Sequence, residues 1–384
     1  MSGEASPVPE TDTVSGHVSG ADGAAARPRT SLLRRHGVKA LVSLAIAAAF
    51  AWALLRAGLP IVPDRAAFAK VRWPLVAAHA GVLFTVHFIR AIRWRHLLRP
   101  LAPDIRRRRV VAASWVGFTA ILLLPLRAGE IVRPWLIRDR KKITLSSALG
   151  TMGAERVIDG LVVTAVLAGA LLFVPRLDPL PKTFGDLHIP VAAIPAAGFA
   201  ALALFVTLFV AMAIFYFARS FSQRMIRATL GRISPRLADR FAAIVGGLAE
   251  GLHFLADRRH GVPFIAETLT YWGLNAVGMW VLGLACGLPM TFGHACAVMG
   301  VLAVGILVPA GPGLFGAFQA STYGALAMYF APTMVTWEGA VYVFLLYGVQ
   351  FVWHLVAAGL GVAIDPGVLK SESVIQDAAV ERVG

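Results

Sequence analysis

The sequence is poor in charge, in lysine and in cysteine. Asp, Glu, Lys and Arg make up 15% of its 384 residues, against about 25% in soluble domains. The apolar set makes up 58%, and the mean hydropathy is +0.71. So few charges cannot cover so much apolar surface, which excludes a soluble globule and points to a polytopic membrane protein. The two cysteines, Cys286 and Cys296, sit in apolar runs. That excludes a disulfide framework and suits small buried hydrophobes. Six of the 36 basic residues are lysine and none follows a glycine, so there is no Walker A loop and ATP is not expected as the energy source. His-Glu-x-x-His and Gly-x-Ser-x-Gly are missing too. Asp64, Asp178 and Asp186 are too sparse to form the clustered carboxylates of a metal-dependent glycosyltransferase. No enzyme, metal or cofactor is therefore expected.

What is present is a series of apolar runs. Residues 1–33 are rich in Gly, Ser, Ala and Pro and predict a disordered cytoplasmic tail. The first apolar run, from Val38, sits among Arg34, Arg35 and Lys39 and predicts an uncleaved anchor. A helix needs about 17–25 apolar residues to cross a bilayer core. Full spans are predicted at Val38–Arg56, Trp73–Ile89, Val157–Val174, Val191–Phe217, Pro263–Gly287 and Gly339–Ile364. Two further apolar stretches, Val110–Ile137 and His294–Phe330, are interrupted by LPLRAGEIVRP and VPAGPGLFG. Proline and glycine break helices, so each stretch is either a re-entrant hairpin or a pair of short spans. Ser234–Leu255 has apolar residues at helical spacing and predicts an interfacial helix.

This layout puts thirty of the 36 Lys and Arg on one side and six on the other, which orients both termini into the cytoplasm. The expected fold is all-α, with about six full spans and two broken or re-entrant hairpins, roughly eight membrane segments in all. The membrane domain covers 34–364, followed by a cytoplasmic tail at 365–384. Its halves, about 38–174 and 191–364, carry the same elements in inverted orientation. In transporters built this way the paired broken segments mark the substrate site.

The first hairpin holds three charges, Arg127, Glu130 and Arg133, between Pro125 and Pro134, with Gly129 at its turn. Charge at membrane depth faces a partner or a water-filled cavity. The arginines are therefore candidates to grip a lipid phosphate, with Glu130 holding one of them until lipid arrives; the alternative is snorkelling to the interface. Glu155, Arg156 and Asp159 open the next span. Glu155 and Asp159 share a helix face, and either pair with the hairpin arginines or complement the helix dipole. Arg90, Arg93 and Trp94, followed by Arg106–Arg109, suit interfacial anchoring and attract anionic lipids. The second hairpin is uncharged. Its Pro309, Gly311, Pro312, Gly313 and Gly316 predict a broken-helix site or tight packing. Asn275, Gln350 and His354 are polar residues within spans that suit interhelical hydrogen bonds.

Taken together, RxxRW from Arg90, LPLRAGEIVRP from Leu124, GAERVIDG from Gly153 and VPAGPGLFGAF from Val308 resemble the lysylphosphatidylglycerol synthase transmembrane region family. The resemblance runs from about Val38 to Ile364. It implies a flippase-like fold; in the multiple peptide resistance factor this region moves an aminoacylated phospholipid to the outer leaflet. It also implies a headgroup role for Arg127, Glu130, Arg133, Glu155, Arg156 and Asp159. Many members carry Pro-Gly-Gly-x-Gly-x-x-Glu in the second hairpin, where this chain has Gly316 at the Glu position. Twenty residues follow Ile364, too few for a synthase domain, so a stand-alone member is expected. The expected activity is ATP-independent flipping of a phospholipid or related lipid-linked substrate across the inner membrane. The alternative is a non-transporting partner or scaffold of a lipid- or glycan-modifying enzyme. The expected partners are membrane lipids, anionic phospholipid above all, with a homo-oligomer or a lipid-modifying enzyme left open and no nucleic acid.

Overall fold

The computed structural model describes residues 30–124, 129–138, 143–182, 191–217, 257–308 and 310–369, together with Ser234, Pro235, Asp239 and Phe254. The chain up to Val38 and the chain from Lys39 onward are two units; the described part of the first is the opening of helix α1. Among the described residues there is no β-strand. The helices are α1 Thr30–Arg56, α2 Trp73–Ile92, α3 Arg95–Leu98, α4 Arg107–Leu123, α5 Val132–Ile137, α6 Leu145–Phe173 and α7 Ala193–Phe217, then α8 Arg258–Ala285, α9 Phe292–Gly305, α10 Ala317–Ala327, α11 Pro332–Thr336 and α12 Glu338–Ile364.

Local chemistry sets where these helices begin. The Thr144 hydroxyl accepts from the Ser147 amide at 3.1 Å at the start of α6. Asp257 caps α8, and Thr291 and His294 cap α9 reciprocally. Such contacts satisfy amides that have no partner within the helix. Prolines in the first turns of α2 and α11 occupy positions where the missing N–H costs nothing.

Four helical stretches, Trp73–Leu98, Leu145–Phe173, Ala193–Ile214 and Pro332–Ile364, are long and apolar enough to cross a membrane. The described apolar part of α1, Ala40–Arg56, is shorter. Helix α8 has the length, at 28 residues, but Thr268, Thr270, Tyr271, Trp272 and Asn275 dilute its apolar character. Most of these polar groups turn out to face the site described below. Helix α2 packs on α8, α4 on α12, and α6 on both α7 and α9. The larger apolar core gathers Leu167, Met279, Val298 and Tyr342; a smaller one gathers Trp94, Leu98, Val110, Leu136 and Phe264.

Both interrupted stretches are broken. Helix α4 ends at Leu123, and the chain resumes with a turn at 129–131 before α5. The hairpin tip, including Pro125 and Arg127, lies outside the described residues, as do most of Ser234–Leu255, the segment 183–190 and both outer tails. Gly129 returns against α4 so closely that an added Cβ would stand 2.1 Å from the Ala120 carbonyl carbon. In the second stretch α9 ends at Gly305, Pro312–Leu314 form a 3-10 turn, and α10 begins at Ala317; Pro309 is outside the described residues.

Gly316, where the family pattern has Glu, sits at φ 91° and a Cβ there would lie 2.3 Å from that of Phe50. Its amide donates to Gln319 Oε1 at 2.8 Å. Glutamate at this position meets both a left-handed backbone and an occupied space. Gly316→Glu should therefore destabilise the protein by about 2 kcal/mol or more, visible as a lower Tm and poorer recovery from detergent.

Candidate functional site

The charged residues of the interior form one connected network. Glu155 and Asp159, one turn apart on α6, are both buried. Arg93, at the end of α2, donates through Nη1 and Nη2 to the two Asp159 oxygens at 2.7 and 2.5 Å, a bidentate pair. Its Nη2 also reaches Glu155 Oε1 at 2.9 Å, and its Nη1 reaches Thr268 Oγ1 on α8 at 2.9 Å. Arg133, on α5, donates to the other Glu155 oxygen at 2.7 Å and to Ser114 on α4 at 3.2 Å. Two guanidinium groups thus meet two carboxylates. The guanidinium planes are covered by aromatic rings: Arg133 lies 4.0 Å from the Trp94 ring centroid, and Arg93 lies 4.9 Å from that of Tyr271. Five helices, α2, α4, α5, α6 and α8, are tied together at this point.

This geometry changes the roles expected of three residues. Arg93 and Trp94 do not face an interface: both are fully buried, and the Trp94 Nε1 donates to Thr151 Oγ1 at 3.1 Å. Arg133 is likewise 0% exposed and holds Glu155, so its guanidinium is committed to the protein rather than turned toward a headgroup. Of the two readings of Glu155 and Asp159, the helix dipole has little to act on, because they lie about three and four turns inside α6. Both pair with arginines, although the main partner is Arg93 and not a second hairpin arginine.

Next to the network lies a cavity of about 420 Å³. Its charged end is formed by Arg90, Glu130, Arg156 and Asp159, and its apolar walls include Val163, Met279, Leu302 and Phe318. Trp272, Asn275, Gln350 and His354 also line it. Asp159 belongs to both systems: one oxygen that receives Arg93 also accepts from Trp272 Nε1 at 3.3 Å. Arg90 lies over the Phe118 ring, 4.0 Å from its centroid. Neither Arg90 nor Arg156 has a carboxylate within ion-pair distance among the described residues, in contrast to Arg93 and Arg133. The two interrupted stretches both reach this space, the first through Glu130 and the second through Leu307 and Leu314.

Arg90, expected as an interfacial anchor, lines this cavity instead, and sequence spacing did not single out Thr268, Ser114 and Tyr271 as network members. One signal was available: Arg90 and Arg93 lie in an apolar stretch that begins at Trp73, well before the loop arginines at 106–109. A cation so placed has to find a carboxylate, an aromatic face or a ligand.

An all-helical membrane protein with a closed arginine–carboxylate network beside an amphipathic cavity is the class these features define. The chain belongs to the lysylphosphatidylglycerol synthase TM region family, whose sequence pattern matches residues 40–359. It is also similar to the glycosyltransferase AglD of Haloferax volcanii, with 28% identity over 235 residues; the match covers 56% of this chain and 36% of that protein. No solved structure matches it.

Proposed function

We propose that the chain moves an anionic phospholipid, or a related lipid-linked anion, across the cytoplasmic membrane without ATP and without catalysing a reaction. The observation that carries this reading is the division of the cavity. Two guanidinium groups, Arg90 and Arg156, line it beside Glu130 and Asp159 without an ion-paired carboxylate among the described residues, and most of the remaining lining is apolar. A phosphate headgroup suits the first and an acyl chain the second. Arg127, beyond the described residues, is a third candidate contact. In this reading six full spans and two broken hairpins form inverted halves, and the hairpins expose the cavity to each leaflet in turn. The test is transfer of a fluorescent phosphatidylglycerol between leaflets of proteoliposomes lacking ATP. Transfer well above that of empty liposomes is expected; a rate equal to theirs removes the reading.

A second reading is favoured by the name of the Haloferax relative, a glycosyltransferase: a membrane partner or scaffold of a lipid- or glycan-modifying enzyme. It predicts no lipid transfer by the purified chain and recovery of an enzyme with it.

The orientation that accompanies the first reading has both termini in the cytoplasm and the loop around Lys182 outside. Single cysteines at positions 182 and 141, in a background lacking Cys286 and Cys296, should differ in intact cells. Position 182 is expected to react with an impermeant thiol reagent and position 141 is not; the reverse pattern inverts the topology.

A further inference from the structure

A second basic site lies on a different face of α2. Phe88, Ile92 and Arg95 fall one turn apart on one side of the chain's path, whereas Arg90, two residues from Phe88, points to the opposite side. Phe88, Ile92, Val111 and Ile364 wall a crevice of about 340 Å³ between α2, α4 and α12, and Arg95, Arg107 and Arg108 rim it. The walls open outward: Phe88 is 44% exposed and Ile364 42%. No acidic residue lines the crevice among the described residues.

The arginines around it differ in what they already hold. Arg95 donates to Glu267 Oε1 at 2.8 Å. Arg109, just outside the crevice, donates to the Leu136 carbonyl at 3.0 Å and faces Asp365 at 3.7 Å. Arg107 and Arg108 are exposed and have no ion pair among the described residues. Two uncompensated cations therefore sit above an apolar slot, and the slot opens between helices that include two of the membrane-crossing stretches.

We infer that this crevice holds an anionic membrane phospholipid as a resident ligand. Its phosphate lies on Arg107 and Arg108, and an acyl chain lies along Phe88, Ile92, Val111 and Ile364. The apolar slot is what selects a lipid over a soluble phosphate, which would gain nothing from it. The missing acidic residue is what selects an anionic headgroup over a zwitterionic one. The lipid bridges the end of α2, the start of α4 and the end of α12 and offsets the repulsion among Arg95, Arg107 and Arg108. The site is separate from the cavity and does not depend on whether the chain moves lipid.

The experiment uses the purified full chain in detergent, melted with short-chain phosphatidylglycerol or with the matching phosphatidylcholine. Phosphatidylglycerol should raise Tm by about 2 °C or more beyond phosphatidylcholine. Arg107→Gln with Arg108→Gln should remove at least half of that difference. Arg258→Gln with Arg259→Gln, an exposed pair outside the crevice, should keep it. Absence of the difference in wild type, its persistence without Arg107 and Arg108, or equal loss in both arginine pairs overturns the inference. Loss of the difference in Arg90→Gln but not in the Arg107 and Arg108 variant means that the lipid binds in the cavity, so this inference fails while the proposed function stands. If the double variant does not fold, native mass spectrometry of Arg107→Gln decides: one retained phosphatidylglycerol fewer than wild type supports the site, and an unchanged count overturns it.

Discussion

Arg90→Ala should slow transfer of fluorescent phosphatidylglycerol in proteoliposomes by about 10-fold or more, with the fold intact. A tenfold change corresponds to about 1.4 kcal/mol, within the worth of one hydrogen bond to a charged group. The expectation follows from the contrast between two kinds of interior arginine. Arg90 borders the cavity and is held by the face of Phe118 at 4.0 Å rather than by a carboxylate. Its removal leaves no buried anion stranded, so the loss should fall on the headgroup and not on stability. Arg90→Lys should recover part of the rate, since an ammonium restores the charge but not the two-pronged contact. Arg156→Ala should act in the same direction. A wild-type rate in Arg90→Ala, at equal melting temperature, would show that the headgroup is met elsewhere.

Arg93→Ala should do the reverse and cost about 3–5 kcal/mol of stability, the usual effect of breaking a buried ion pair from one side. Among the described residues it leaves Asp159 with the Trp272 indole at 3.3 Å alone and removes one of the two cations serving Glu155. Tm should fall by at least about 5 °C, or the protein should fail to survive extraction. The control is a charge-neutral double variant, Arg93→Met with Asp159→Leu, which keeps Arg133 opposite Glu155. It should be more stable than Arg93→Ala, because what destabilises is the unpaired carboxylate and not the missing attraction. A double variant no better than Arg93→Ala would mean that the network acts through packing.

The helices were legible because hydrophobic run length and Pro/Gly interruption are local properties. The expected breaks after Leu124 and near Pro309 match gaps between α4 and α5 and between α9 and α10. Helix α8 was legible by length, but its polar stripe of Thr268, Tyr271, Trp272 and Asn275 acquires meaning only opposite α2 and α6. The acidic half of the site could also be read, because Glu155 and Asp159 repeat at four residues within one helix. One partner was within reach of that reading, since the hairpin Arg133 does pair with Glu155. The others were not, because Arg93 is 62 and 66 residues from the two carboxylates and 175 from Thr268, and nothing in local spacing encodes such a meeting. Counting basic residues to orient the chain groups Arg93 and Arg133 with loop arginines, although both are interior. Charge type alone does not distinguish a cation that anchors a helix end from one that locks a core.

The separation of Arg93 from its carboxylates has a consequence for biosynthesis. Asp159 is translated 66 residues after Arg93, which at about 5–20 residues per second is a delay of roughly 3–13 s. Throughout that interval the end of α2 carries a cation whose carboxylate partners on α6 have not yet been made. An unpaired arginine costs about 2.5–3.5 kcal/mol at the centre of an inserting helix. Near a helix end the cost is smaller, because the side chain reaches the interface, so the end of α2 is expected to stay near water or the insertion machinery until α6 arrives. A nascent chain halted before Glu155 should therefore remain extractable from the membrane where one halted after α6 does not.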